Sequence, residues 1–325
     1  MTLTRQRFLI TLGAAAAAAL ALPAAAQDGT IRILVGYPPG ATSDSLTRVI
    51  AEHMARTLKQ NVIVENKPGA GGRIANEQVK AAAADGTTLL MTPVATMAIF
   101  PHSYAGQLRY DPLKDFAPVA HLSNFQVGLA VQTAVPARTL AEYVAWVKAD
   151  PAKNGFYASA AAGSIPHFFG VMFGRAAGIS LTHVPYKGTA SAMQALAANE
   201  VSAVSTVVAD IRPLVASGKA RLLAVAGEQR DPTVPDVPTF RQLGHDLVAQ
   251  PWYALFAPAG TPAATVERLA RAAAAAVKDP AVNQRLVDMG LEPTGHGPSR
   301  LAAVLKADFD RWGPPIRESG FKPGD

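Results

Sequence analysis

Short apolar runs alternate with helix-length amphipathic stretches along nearly the whole chain, and this alternation restricts the fold more than any other feature. Strand-like runs fall at 31–35, 62–65, 88–91, 127–131, 156–158, 181–184, 203–207 and 222–225. Between most of them lie helical patterns, at 44–58, 72–83, 140–149 and 191–198. A chain of this βαβα order builds α/β structure, mostly parallel sheets flanked by helices. In such sheets, ligands bind outside the carboxyl ends of the strands.

Two polar, proline-bearing passages interrupt the alternation, at 104–124 and 229–238. After the second, 252–256 reads as one more strand. Thr261 is then an N-cap before Pro262, with a helix to about Val277, and further helices start at Pro280 and Pro298. At 325 residues the chain exceeds one ordinary core, so two domains are expected. We expect residues 27–125 plus 251–325 to form a discontinuous first domain and 126–250 a second, inserted one. Two chain crossings between them make a hinge, and the pair reads as a clamshell around a cleft.

The first 26 residues carry Arg5 and Arg7, an apolar run at 8–22, and small residues ending at Ala26. This is the order of a cleaved secretory signal peptide, with the cut placed after Ala26 and the mature chain in the periplasm. The apolar run is short for a membrane span. Removing the leader takes two arginines and no acid, so the formal charge of +6 becomes +4. That excess is too scattered to suggest nucleic acid. With no cysteine, disulfides and thiolate metal sites are excluded.

Three turns carry the candidate chemistry. The first is Gly36-Tyr37-Pro38-Pro39-Gly40-Ala41-Thr42-Ser43-Asp44, between a strand and a helix. The second is Ala161-Ala162-Gly163-Ser164-Ile165-Pro166-His167, again before a helix. Helix N-termini offer unpaired N–H groups and the positive end of the peptide dipole, so each turn is a candidate anion cradle. The third, Gly69-Ala70-Gly71-Gly72, lacks the Lys-Ser/Thr of a phosphate loop, and Ile74 breaks the dinucleotide pattern. No nucleophile elbow, His-Glu-x-x-His or close histidine spacing occurs, which argues against a hydrolase and against a metal. No cofactor is expected.

Taken in order, these motifs resemble those of tripartite-tricarboxylate-transporter solute receptors of the Bug, or TctC-like, type. The family's Glu-Asn-x-Pro-Gly-Ala-Gly-Gly stands here at Glu65 through Gly72, its Gly-Ser-x-x-His at Gly163 through His167, and its Val-Pro-Tyr-Lys-Gly at Val184 through Gly188. The Trp252-Tyr253 pair and the run from Ala257 to Pro262 fit as well. The resemblance implies a periplasmic-binding-protein clamshell of type II-like form. It implies capture of a small carboxylate, dicarboxylate, tricarboxylate or aromatic acid for a membrane permease, or else for a membrane sensor. A monomer is expected.

From the first motif the resemblance carries binding roles to Tyr37, Gly40, Ala41 and Asp44, and from the second to Gly163, Ser164 and His167. Ala162 and Ile165 complete that second cradle, while Gly71, Gly72 and Lys187 are weaker candidates. An acid at Asp44 would repel an anionic ligand, so organising the loop is its expected task. Ser164 before Pro166 also reads as an ordinary N-cap. Thr206 stands where many relatives have Asp, which favours a plain carboxylate over an amino acid.

Overall fold

The computed structural model describes residues 29–186 and 188–322; the expected leader and Lys187 lie outside the described residues. The first part of the chain runs β1 (Ile31–Val35), α1 (Thr42–Leu58), β2 (Val62–Asn66), α2 (Arg73–Lys80), β3 (Thr88–Pro93), α3 (Phe100–Ser103) and β4 (Phe116–Phe125). There follow β5 (Val127–Gln132), α4 (Leu140–Ala149), α5 (Pro151–Asn154), β6 (Phe156–Ser159), α6 (Ile165–Ala177), β7 (Thr182–Pro185), α7 (Thr189–Ala197), β8 (Ala203–Val207), α8 (Val208–Ala216) and β9 (Ala220–Val225). The chain ends with β10 (Trp252–Pro258), α9 (Ala263–Lys278), α10 (Pro280–Asp288), β11 (Leu291–His296) and α11 (Pro298–Ser319).

Two sheets result. One has the order β11-β4-β10-β3-β1-β2 and the other β7-β6-β8-β5-β9, so the first collects strands from both ends of the chain. The α/β class is as expected, but only part of each sheet is parallel. The β2-β1-β3 and β7-β6-β8 blocks are parallel, whereas β4, β10 and β11 in one sheet and β5 and β9 in the other pair antiparallel. The helix crossovers β1-α1-β2 and β6-α6-β7 make parallel neighbours, whereas β10 and β5 each insert antiparallel between two strands, β3 and β4 in one sheet and β8 and β9 in the other.

Two strands lie where the sequence suggested a separating passage or only a succession of helices. β4 occupies part of the proline-bearing passage at 104–124; Pro118 is accommodated because the ladder to β10 shifts register between Leu255 and Phe256, which faces it. β11 contains Pro293 and Gly295 and is an edge strand whose pairing with β4 breaks after Pro293. Thr261 also differs from expectation. Its hydroxyl donates to Pro258 O at 2.8 Å, and Pro262 takes the N-cap position without a side-chain cap.

The crossings between the sheets run side by side, with Phe125 N–H donating to Pro251 O at 2.9 Å. Glu292 on β11 ties them together by accepting from Gln126 at 2.8 Å and Gln250 at 3.1 Å. A third link comes from the C-terminal helix. α11 packs on β4, yet its end reaches α6, where Arg175 pairs with Glu318 and Phe321 rests on Phe168. The largest apolar cluster accordingly runs through both sheets, from Leu34 and Trp252 to Tyr157 and Phe169. Among the described residues, no helix is long and apolar enough to cross a membrane.

Candidate ligand-binding site

The first turn is built around Asp44. This carboxylate is 3 % exposed and accepts from Gly40 N–H (2.9 Å), Asn66 Nδ2 (2.8 Å) and Arg48 Nε (3.1 Å), with a second Arg48 contact at 2.9 Å. Burial pushes its pKa up, but the bonds from Arg48, Gly40 and Asn66 outweigh that and hold it below the usual carboxylate range. Every one of these contacts is internal, so the acid shapes the loop and is neutralised within it. Asn66 also donates to Tyr37 O at 3.0 Å, fastening the strand end of β2 to the turn.

Gly40 takes the positive φ of +83° that the turn requires, which leaves Ala41 extended at φ −65°. Ala41 is the N-cap of α1 and provides no side-chain cap. The N–H groups of Thr42 and Ser43 therefore have no partner among the described residues. They are the donors that a helix start can offer an anion.

The glycine run lies directly against this turn. A Cβ built on Gly36 would sit 2.5 Å from Gly72 Cα and 2.9 Å from Gly72 O, so the two backbones touch where only glycine fits. Tyr37 closes the seam by donating its hydroxyl to Gly71 O at 3.1 Å. Substituting Gly36 by Ala is expected to push the turns apart and cost about 1–3 kcal/mol. Thermal unfolding and carboxylate calorimetry on that variant check this; an unchanged melting temperature with unchanged binding would remove the seam from the site.

The second turn starts α6. Ser164 is its N-cap, accepting from His167 N–H at 3.4 Å while its hydroxyl donates to Ala161 O at 2.7 Å. Gly163 adopts φ +72°, and its N–H is already given to His167 Nδ1 at 3.0 Å. The donors left without partners among the described residues are the amides of Ala162, Ser164 and Ile165. His167 thus supports the loop from behind. Its ring stacks on His183 at 3.9 Å, and His183 Nε2 meets Ser159 Oγ at 2.7 Å. Burial lowers the His167 pKa to about 4; burial, then the neighbouring His167, lowers that of His183 to about 3.

Aromatic rings join the turns. Phe100 lies 3.1 Å from a Cβ built on Gly71 and packs edge-on to Tyr104 at 5.1 Å; Tyr104 lies 3.6 Å from a Cβ on Gly163, with Phe321 at 3.0 Å. Over the Tyr104 ring, 4.3 Å from its centroid, stands the Arg73 guanidinium. Arg73 bonds Ala70 O through Nε at 2.8 Å, and its Nη groups have no hydrogen-bond partner among the described residues.

The structure therefore brings Tyr37, Gly40, Ala41, Asp44, Gly71 and Gly72 together and sets Ala162 to His167 across the rings from them. Thr206 is 1 % exposed, at the end of β8 opposite Gly128, beside Val207, which packs on the first sheet's core. Sequence reasoning missed Arg73, Tyr104 and Phe321. Arg73 had a signal in being the first charge after Gly71-Gly72; Tyr104 and Phe321 meet the site only through tertiary packing.

Residues 46–321 match the model of the family described as tripartite tricarboxylate transporter family receptor. The chain belongs to that family. It is 35 % identical over 298 residues to a UPF0065 protein in the gbd 5′ region of Cupriavidus necator, covering 89 % of this chain and 90 % of that one. The receptor is also similar to MatC from Rhodopseudomonas palustris, solved with bound malate: 33 % identity, TM-score 0.77, 88 % of this chain and 98 % of that one. A second R. palustris protein, solved with adipate, shows 28 % identity and a TM-score of 0.82 over 90 % of this chain and 98 % of that one. Membership makes this a solute-binding protein and not an enzyme. Its two-domain α/β fold is that of periplasmic binding proteins.

Proposed function

We propose that the receptor is exported to the periplasm and captures a small dicarboxylate between its two domains, 27–125 plus 251–325 and 126–250, for a membrane permease. The observation that carries this reading is the pair of helix starts with unpartnered amides, joined by Phe100 and Tyr104 and flanked by the Arg73 guanidinium. One carboxylate takes the amides of Thr42 and Ser43 with those of Ala162 and Ser164. The other meets Arg73, whose planar fork suits a carboxylate. Asp44, paired with Arg48 and hydrogen-bonded by Asn66, does not oppose the anion. The malate and adipate bound by similar proteins support a four- to six-carbon diacid. Closing the hinge around the ligand creates the surface that a membrane partner reads.

Calorimetry on ligand-stripped protein tests this with succinate, malate, adipate, citrate and benzoate. Diacids are expected to bind most tightly, and Arg73→Gln to weaken them about tenfold while changing benzoate little. If no carboxylate bound, the reading would fail. Equal loss for monoacid and diacid would remove Arg73 from the distal position.

A further inference from the structure

Asp44 and Asp210 both stand in the first turn of a helix, yet the fold treats the two acids differently. Asp44 on α1 is consumed by Gly40, Asn66 and Arg48, which hold its pKa below the usual carboxylate range. Asp210 on α8 has no hydrogen-bond or ion-pair partner among the described residues. It is half-buried, and burial, with nothing opposing it, raises its pKa. Nor does it cap its helix: α8 has no side-chain cap, and the Val208 N–H goes to Gln126 O at 2.9 Å. Asp210 thus keeps acceptor oxygens that the chain itself does not use.

Topology sets this acid at the mouth of the cleft. β8 runs parallel to β6, so both strands end on the same side of the second sheet. There β6 leads to the turn at 161–164, and β8 passes into α8 with no loop between them. Val207, the N-cap of α8, packs into the apolar cluster of the first sheet together with Tyr37 and Tyr253. Ala209 closes the same contact, its Cβ lying 2.7 Å from a Cβ built on Gly290 in the α10–β11 turn. The start of α8 therefore faces the first sheet where Tyr37 follows β1 and Tyr253 pairs with Pro93 at the end of β3.

Asp210 is felt at that point. After burial, the Tyr37 hydroxyl and the Asp210 carboxylate both raise the pKa of the Tyr253 hydroxyl, which has no hydrogen-bond partner among the described residues. Thr206 adds no charge at the end of β8, but an acid stands four positions on. This end of the cleft carries an unused negative acceptor, opposite in character to the amides and the Arg73 guanidinium that suit carboxylates.

We infer that Asp210 sets the specificity of the cleft, accepting from a hydroxyl or ammonium group on the carbon chain between the two carboxylates of the ligand. The inference rests on the diacid reading above and narrows it to hydroxy- or amino-substituted diacids. A plain diacid brings only methylenes and negative charge to Asp210, and on closure it leaves that acceptor unpaired. Rejection of the unsubstituted acid is thus built into the site, as a repulsive element beside the attractive ones.

Calorimetry on ligand-stripped receptor with succinate, malate and aspartate tests this on one four-carbon chain. Malate, aspartate or both are expected to bind about tenfold more tightly than succinate, and the tighter of the two identifies the donor as hydroxyl or ammonium. Asp210→Ala is expected to move the ligands in opposite directions: the substituted diacid weakens about tenfold, while succinate tightens as the repulsion is removed. Loss of fold would weaken all three together, and thermal unfolding of the variant reads that separately. Asp210→Asn, a neutral acceptor, is expected to retain most of a preference for hydroxyl and to lose a preference for ammonium. Succinate binding as tightly as both substituted acids overturns the role of Asp210 and leaves the diacid reading standing. So does a preference that survives unchanged in Asp210→Ala. Binding of none of the three overturns the diacid reading itself, and this inference with it.

Discussion

Replacing Asp44 by Ala is expected to abolish carboxylate capture and to destabilise the receptor by about 2–4 kcal/mol. The carboxylate accepts from Gly40, Asn66 and Arg48 together; without it Asn66 keeps Tyr37 O and Arg48 keeps Asn66 Oδ1, but the Gly40 N–H loses its partner and the turn is freed. Gly40, with an open left-handed backbone and nothing within 4 Å of a built Cβ, has no other restraint of comparable strength. The amides of Thr42 and Ser43 then lose their fixed direction, and preorganised donors are what make such a cradle effective. Asp44→Asn is the comparison: it retains an acceptor for Gly40 but loses the ion pair with Arg48, so binding is expected to fall less. Denaturant unfolding measures the stability and calorimetry with a diacid the affinity. An Asp44→Ala protein that binds normally would show that the first turn does not depend on this network.

The role of Asp44 was legible because it follows from local grammar: an acid in the first turn of a helix, next to a glycine-bearing loop, satisfies backbone donors. Ser164 was legible for the same reason. What local grammar does not reveal is which donors are already used. The Gly163 N–H, an obvious candidate for the ligand, is taken by His167 Nδ1, a partner four residues along whose ring is held in place by His183 from β7. β4 was hidden because its Pro118 reads as a breaker, and only the shift in its ladder to a strand more than a hundred residues away makes room for it. Arg73 was passed over for a related reason: its significance lies in the Tyr104 ring beneath it, contributed by a different segment. Sequence patterns thus revealed the elements that satisfy themselves locally, while contacts supplied by distant segments decided the rest.

Acid is expected to destabilise the receptor from about pH 6.5 downward, chiefly through its buried histidines. His121 and His167 are buried and neutral, with pKa values lowered to about 4, and His183 is lowered to about 3. An unfolded histidine takes its proton near pH 6.5. The folded pKa values are depressed, so the unfolded chain binds more protons between pH 6.5 and 4, and stability falls throughout that interval as pH is lowered. For His121 and His167 the linkage amounts to about 3 kcal/mol each by pH 4, an appreciable part of the net stability of a domain. His167 and His183 cannot share the burden, because rings stacked at 3.9 Å repel when both are charged. Protonating His167 also places a hydrogen on the Nδ1 that accepts from Gly163, so the second turn loosens and diacid affinity falls in the same interval. Asp44 acts in the same direction but only at lower pH, since its folded pKa is itself below the usual carboxylate range. Urea unfolding at pH 7, 6, 5 and 4.5 reads the slope directly. His167→Asn, which keeps an acceptor near the Nδ1 position but cannot titrate, is expected to flatten it and to preserve affinity at pH 5. A wild-type stability that is level from pH 7 to 4.5 would mean that these rings do not remain neutral in the fold.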